Sequence, residues 1–207
     1  MSECGRREID MQTVQRVVVA AAMIGVAWPA DAQTGWTPTF AGGASVEGTS
    51  GIYFAMGTLL SAEMRAGVER REAGTAPLFA VSGSYGRATD LPSAASCPLI
   101  AGAFCPSGPL PQVLSGMVWL GARHASTRSR WSWRAMAGVG VLRVWGRYIQ
   151  TRDGTDTADS YQLGVRGEVD RALTDRVGLL IGGQYIDAAR VEAGMRRGGL
   201  SVGVRWR

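Results

Sequence analysis

In eight stretches between Thr39 and the end of the chain, apolar side chains recur at about every second position. The pattern is clearest in Ser160–Asp170, where Tyr161, Leu163, Val165 and Val169 alternate with Gln162, Gly164, Arg166, Glu168 and Asp170. Such a period puts the two sets on opposite faces of a strand. Gly199–Arg207 repeats it: Leu200, Val202, Val204 and Trp206 stand against Ser201, Gly203, Arg205 and Arg207. One face is aliphatic with aromatics near its ends. The other is glycine, serine and charges of both signs.

The same reading predicts eight strands: Thr39–Glu47, Ile52–Arg65, Leu78–Arg87, Val113–His124, Arg130–Tyr148, Ser160–Asp170, Arg176–Asp187 and Gly199–Arg207. Thr58–Glu72 reads equally well as a helix. No apolar run long enough for a spanning helix, roughly 18 residues, follows Gln33. A membrane protein made from this chain must then be a closed sheet, since only helices and closed barrels satisfy every backbone group in lipid. The expected fold is all-β: an eight-stranded antiparallel up-and-down transmembrane β-barrel. Tyr85, Trp131, Trp133, Tyr161, Tyr185 and Trp206 are expected outward as girdles. Glu63, Arg65, Arg134, Arg166, Glu168 and Arg205 are expected as interior charges. Turns are expected at Ala66–Ala76, Ala125–Ser129 and Arg171–Asp175. Outer loops are expected at Gly48–Gly51, Ala88–Gln112, Ile149–Asp159 and Ala188–Arg197.

The front of the chain differs. Val17–Trp28 is a twelve-residue apolar run behind Arg16, followed by Ala30-Asp31-Ala32. It is too short to span a bilayer, and it matches a secretory leader cleaved after Ala32. That divides the chain into a signal peptide, 1–32, and a barrel, 33–207. Met11 is an alternative start, because Met1–Asp10 is polar and acidic. Of the three cysteines, Cys4 leaves with the leader, and Cys97 and Cys105 are expected to form a disulfide in the longest outer loop.

Composition removes other classes. The net charge of +5 comes entirely from arginine, with no lysine, and the arginines are scattered. Nucleic-acid binding calls for a basic cluster, so none is expected. His124 is the single histidine, which leaves too few ligands for zinc. Asp153, Asp156 and Asp159 lack the bidentate glutamate of a calcium loop and read as a solvated turn. No metal and no cofactor are expected.

The leader, the turn Leu173–Leu179, the strand beginning Arg130-Trp131-Ser132-Trp133, and the terminal Gly199–Arg207 resemble the OmpA-type or opacity-type family of small outer-membrane β-barrels. The resemblance implies a bacterial outer-membrane location. It also implies contact with outer-membrane lipid, and insertion by the barrel-assembly machinery reading the last strand. Here Arg207 follows the terminal aromatic Trp206. Arg123-His124-Ala125-Ser126 is similar to a stretch of the lipid A deacylases. That would make Ser126 a nucleophile and His124 its base. The likeness ends at Thr127-Arg128, and Met136–Val141 carries no acid. The bland reading is that His124 caps the fourth strand. A non-enzymatic barrel acting in envelope integrity or surface contact is the expected function, with an unnamed surface partner. The alternatives are the deacylase, a small pore, and a soluble exported ligand-binding barrel.

Overall fold

A computed structural model describes residues 35–51, 57–70, 73–89, 110–145, 157–188 and 195–207. They form eight strands: β1 (Trp36–Gly51), β2 (Thr58–Arg70), β3 (Gly74–Ala88), β4 (Gln112–Ala125), β5 (Trp131–Trp145), β6 (Thr157–Ala172), β7 (Val177–Ala188) and β8 (Met195–Trp206). Each pairs antiparallel with the next, and β8 pairs with β1, so the barrel is closed. Closure gives every strand two partners and leaves no edge to template further pairing.

The register sets the shape. Cross-strand partners lead from Phe40 to Ala66, Val81, Val118, Val139, Leu163, Asp187 and Arg196, and then to Ser50 of β1. One circuit therefore advances ten residues along β1 (50 − 40). With a rise of about 3.3 Å per residue and about 4.8 Å between strands, the tilt is roughly 40° and the backbone radius roughly 8 Å. Such a cylinder has room for side chains and little else.

At one end the chain reverses through short turns. Gly74 enters β3 with φ 92°, a conformation that favours glycine. Ser126 and Ser129 hydroxyls accept the amides of Arg128 and Trp131, and the Thr174 hydroxyl accepts those of Arg176 and Val177. Local side-chain acceptors of this kind fix tight reversals. This is the turn end; the opposite one is the loop end.

Several expected boundaries shift. Thr58–Arg70 is strand, not helix, and the expected turn Ala66–Ala76 is mostly strand: Gly67 pairs with both Thr39 and Ala80. Leu, Ala, Glu, Met and Arg favour a helix in isolation, but two flanking strands satisfy the backbone and override that preference. β8 begins at Met195 rather than Gly199, and β1 extends from Trp36 to Gly51. Asp159 lies within β6, not in a loop. The proposed leader, Cys97 and Cys105, and Asp153 and Asp156 lie outside the described residues.

Candidate functional site

The alternation resolves into an inverted polarity. The outward face is apolar, with Met64 77% exposed, Leu200 73% and Leu120 63%. The lumen buries charge, with Glu47 0% exposed and Asp170 1%. Phe40, Trp131, Trp133 and Trp206 stand outward toward the turn end, and Tyr85, Tyr161 and Tyr185 toward the loop end. Among the described strand residues, the outward charges are Arg70, Arg87, Arg143, Asp159, Arg171, Asp187 and Arg196. Each lies within three positions of a strand end. On β6 the outward charges Asp159 and Arg171 are twelve residues apart (171 − 159), and only Tyr161, Leu163, Val165, Gly167 and Val169 face outward between them. At this tilt that interval is roughly 30 Å tall.

The lumen is filled in layers. Midway, Arg65 grips Glu168 with both guanidinium nitrogens at 2.8 and 2.7 Å. Arg166 donates to Glu168 at 2.7 Å and to Glu63 at 2.7 and 2.5 Å, and to Gln184 at 3.1 Å. Gln184 in turn donates to Glu47 at 3.1 Å. Above that, Arg197 lies 3.5 Å from Glu47 and donates to Gln162 at 3.0 Å. Toward the turn end, Glu69 and Asp170 meet four arginines. Arg134 is 3.0 Å from Glu69 and 3.3 Å from Asp170, Arg205 is 2.5 Å from Asp170, Arg207 is 3.1 Å from Glu69, and Arg123 is 3.8 Å from Glu69. Burial holds the Arg207 guanidinium below its ordinary pKa, against the opposing pull of Glu69.

Apolar groups occupy the remaining space. Leu78, Ala80, Met117, Trp119 and Met136 form one wall. Leu59, Val113, Leu142, Val144, Ala158, Ala188 and Met195 close the lumen near the loop end. A cavity of about 20 Å³ beside Glu63, Arg65, Arg166 and Ser201 has room for a water molecule.

The structure gathers Glu63, Arg65, Arg166 and Glu168 into one network and places Arg134 and Arg205 together at Asp170. Six further charges face the lumen beyond the interior set expected from sequence: Glu47, Glu69, Arg123, Asp170, Arg197 and Arg207. Parity was the available signal, since Asp170 follows Glu168 by two and Arg207 follows Arg205 by two. Glu69 and Arg197 fall in an expected turn and an expected loop, and the structure places them in β2 and β8. His124 faces outward at the turn end, 3.0 Å from the Thr75 hydroxyl and stacked on Trp133 at 5.4 Å. Ser126 sits in the turn and accepts the Arg128 amide. The two are thus engaged separately. Asp159 is held by Arg143 at 2.6 and 2.5 Å. No cluster of three or more metal-ligating side chains occurs among the described residues.

No family model and no curated protein matches the chain. Among solved structures it is similar to neisserial surface protein A, at 21% identity and TM-score 0.55, covering 83% of this chain and 98% of that one. It is also similar to Ail, the attachment invasion locus protein of Yersinia pestis, solved with the heparin analogue sucrose octasulfate. There the identity is 9% and the TM-score 0.50, covering 82% of this chain and 97% of the other. These likenesses show the fold, the small closed β-barrel that the resemblance to the OmpA-type or opacity-type family implied.

Proposed function

We propose that the chain is a non-enzymatic β-barrel of the bacterial outer membrane, serving envelope integrity and surface contact through the connections at its loop end. The observation that carries this reading is the outward face. Between the strand ends it presents uncharged side chains alone, flanked by aromatics and then by charges. A bilayer-spanning barrel needs an apolar band about 25 Å tall with aromatic girdles, and the interval on β6 accommodates one. A soluble ligand-binding barrel would need the opposite arrangement, with the apolar face enclosing a cavity. The loop end would then face outside the cell and the three short turns the periplasm. The β8 strand would be the segment offered to the barrel-assembly machinery, with outer-membrane lipid as the standing partner.

A structural role is favoured over a pore by the filled lumen, where an apolar layer sits above three charged ones. It is favoured over lipid A deacylation by the separate engagements of His124 and Ser126. The test is fractionation of the expressed chain, followed by gels of unheated and boiled samples. The expected result is recovery in the outer membrane with a mobility shift on boiling. Recovery as a soluble periplasmic protein would overturn the proposal.

A further inference from the structure

The lumen's charge does not balance, and the imbalance sits in one layer. Among the described residues, five carboxylates project inward (Glu47, Glu63, Glu69, Glu168, Asp170) against seven guanidiniums (Arg65, Arg123, Arg134, Arg166, Arg197, Arg205, Arg207). The middle layer pairs Glu63 and Glu168 with Arg65 and Arg166. The upper layer pairs Glu47 with Arg197. Both are neutral. The turn-end layer sets Glu69 and Asp170 against Arg123, Arg134, Arg205 and Arg207, which leaves two positive side-chain charges over.

Arginine does not shed its proton at physiological pH, so the excess cannot be removed by titration. A buried charge without a counter-charge is costly. The hydrogen bonding shows the same deficit. Arg134 and Arg205 have side chains 4% and 3% exposed. One terminal nitrogen of each, Arg134 Nη1 and Arg205 Nη1, has no hydrogen-bond partner among the described residues. Asp170 cannot supply more negative charge. Its Oδ2 already accepts from Ser132, Arg134 and Arg205, while its Oδ1 accepts from none of the described groups. Arg207, with its side chain 16% exposed, is the member of the layer nearest solvent.

We propose that the turn-end mouth of the lumen is an anion site that takes a phosphate-type oxyanion, which meets Arg207 and Arg123, the more exposed members of the layer, while the buried Arg134 and Arg205 add their charge from beneath. Guanidinium nitrogens in a planar fork match the oxygens of such a group. Free phosphate and a phospholipid headgroup share this chemistry. The inference rests on the charge of the lumen and stands apart from the membrane assignment.

The test is thermal unfolding of the detergent-folded chain at constant ionic strength, with chloride exchanged for inorganic phosphate or, separately, with short-chain phosphatidylglycerol added. The expected result is a saturable rise in midpoint, roughly 5–10 °C at a hundredfold excess over Kd. A response to inorganic phosphate assigns the site to the bare oxyanion. A response to the lipid alone assigns it to a headgroup. Arg123→Gln with Arg207→Gln neutralises the excess and should abolish the response. Ala76→Asp, which places a carboxylate at the cross-strand partner of Arg123, should weaken it and provides the same test if the double variant does not fold. No midpoint rise with either ligand, or an unchanged rise in the neutralised variants, would overturn the proposal.

Discussion

Trp119 shows how closely single residues are fitted inside this barrel. It points into the lumen, is 1% exposed, and donates its indole N–H to Ser82 at 3.0 Å. Its ring lies over two glycines. A Cβ on Gly138 would come within 2.6 Å of Trp119 Cε3, and one on Gly164 within 3.1 Å of its Cη2. Gly138→Val should therefore displace the indole and cost about 1–3 kcal/mol through overpacking. Urea unfolding of the folded variant, read by tryptophan fluorescence, checks this. An unchanged midpoint and emission would show that the ring is not confined. His124 belongs to the same scale. Its contacts with Thr75 and Trp133 are those of an interfacial residue. His124→Ala should leave lipid A acylation in the host unaltered, as mass spectrometry of extracted lipid A would show; loss of a deacylated species in that variant would restore the catalytic reading.

Among the elements, β6 ties the lumen together. It supplies Gln162, Arg166, Glu168 and Asp170, one to each successive inward position below Gly164 apart from the first, and links the upper layer to the turn-end layer. Glu168 holds both Arg65 and Arg166. Glu168→Gln should destabilise the barrel by about 3–5 kcal/mol, because it leaves buried guanidinium charge uncompensated. Equilibrium unfolding in lipid vesicles measures the cost, and a change below about 1 kcal/mol would mean that water screens the network. The β6 strand and the Gly199–Trp206 part of β8 are legible in the sequence because apolar and polar side chains alternate along them. The ends of β2 and β8 are not. Glu69 and Arg197 sit where a strand leaves its apolar stretch, and a charge there reads as a turn until the partner strand is known. The Thr58–Glu72 stretch is ambiguous because its residues suit a helix, and the choice is made by β1 and β3 on either side. The interior ion pairs follow from parity only as a shared face. Which arginine meets which carboxylate depends on a stagger that no single strand encodes.

For the molecule as a whole, closure, a narrow radius and a filled lumen act together. A roughly 8 Å backbone radius leaves the interior to side chains, and the apolar layer at the loop end adds a region that ions do not cross readily. The chain reconstituted in a planar bilayer should show no sustained ion conductance. Stable channel openings would contradict the filled interior. The central claim is that the outward face meets hydrocarbon, and the most direct measurement walks one arginine along β6. Tyr161→Arg, Leu163→Arg, Val165→Arg and Val169→Arg all change outward side chains at different heights between Asp159 and Arg171. Folding free energies in lipid vesicles should show a depth profile. The cost should be greatest at Val165, about 2–4 kcal/mol, and should fall toward about 0–1 kcal/mol near the ends. A flat profile, with arginine tolerated at Val165 as well as at Tyr161, would contradict the account.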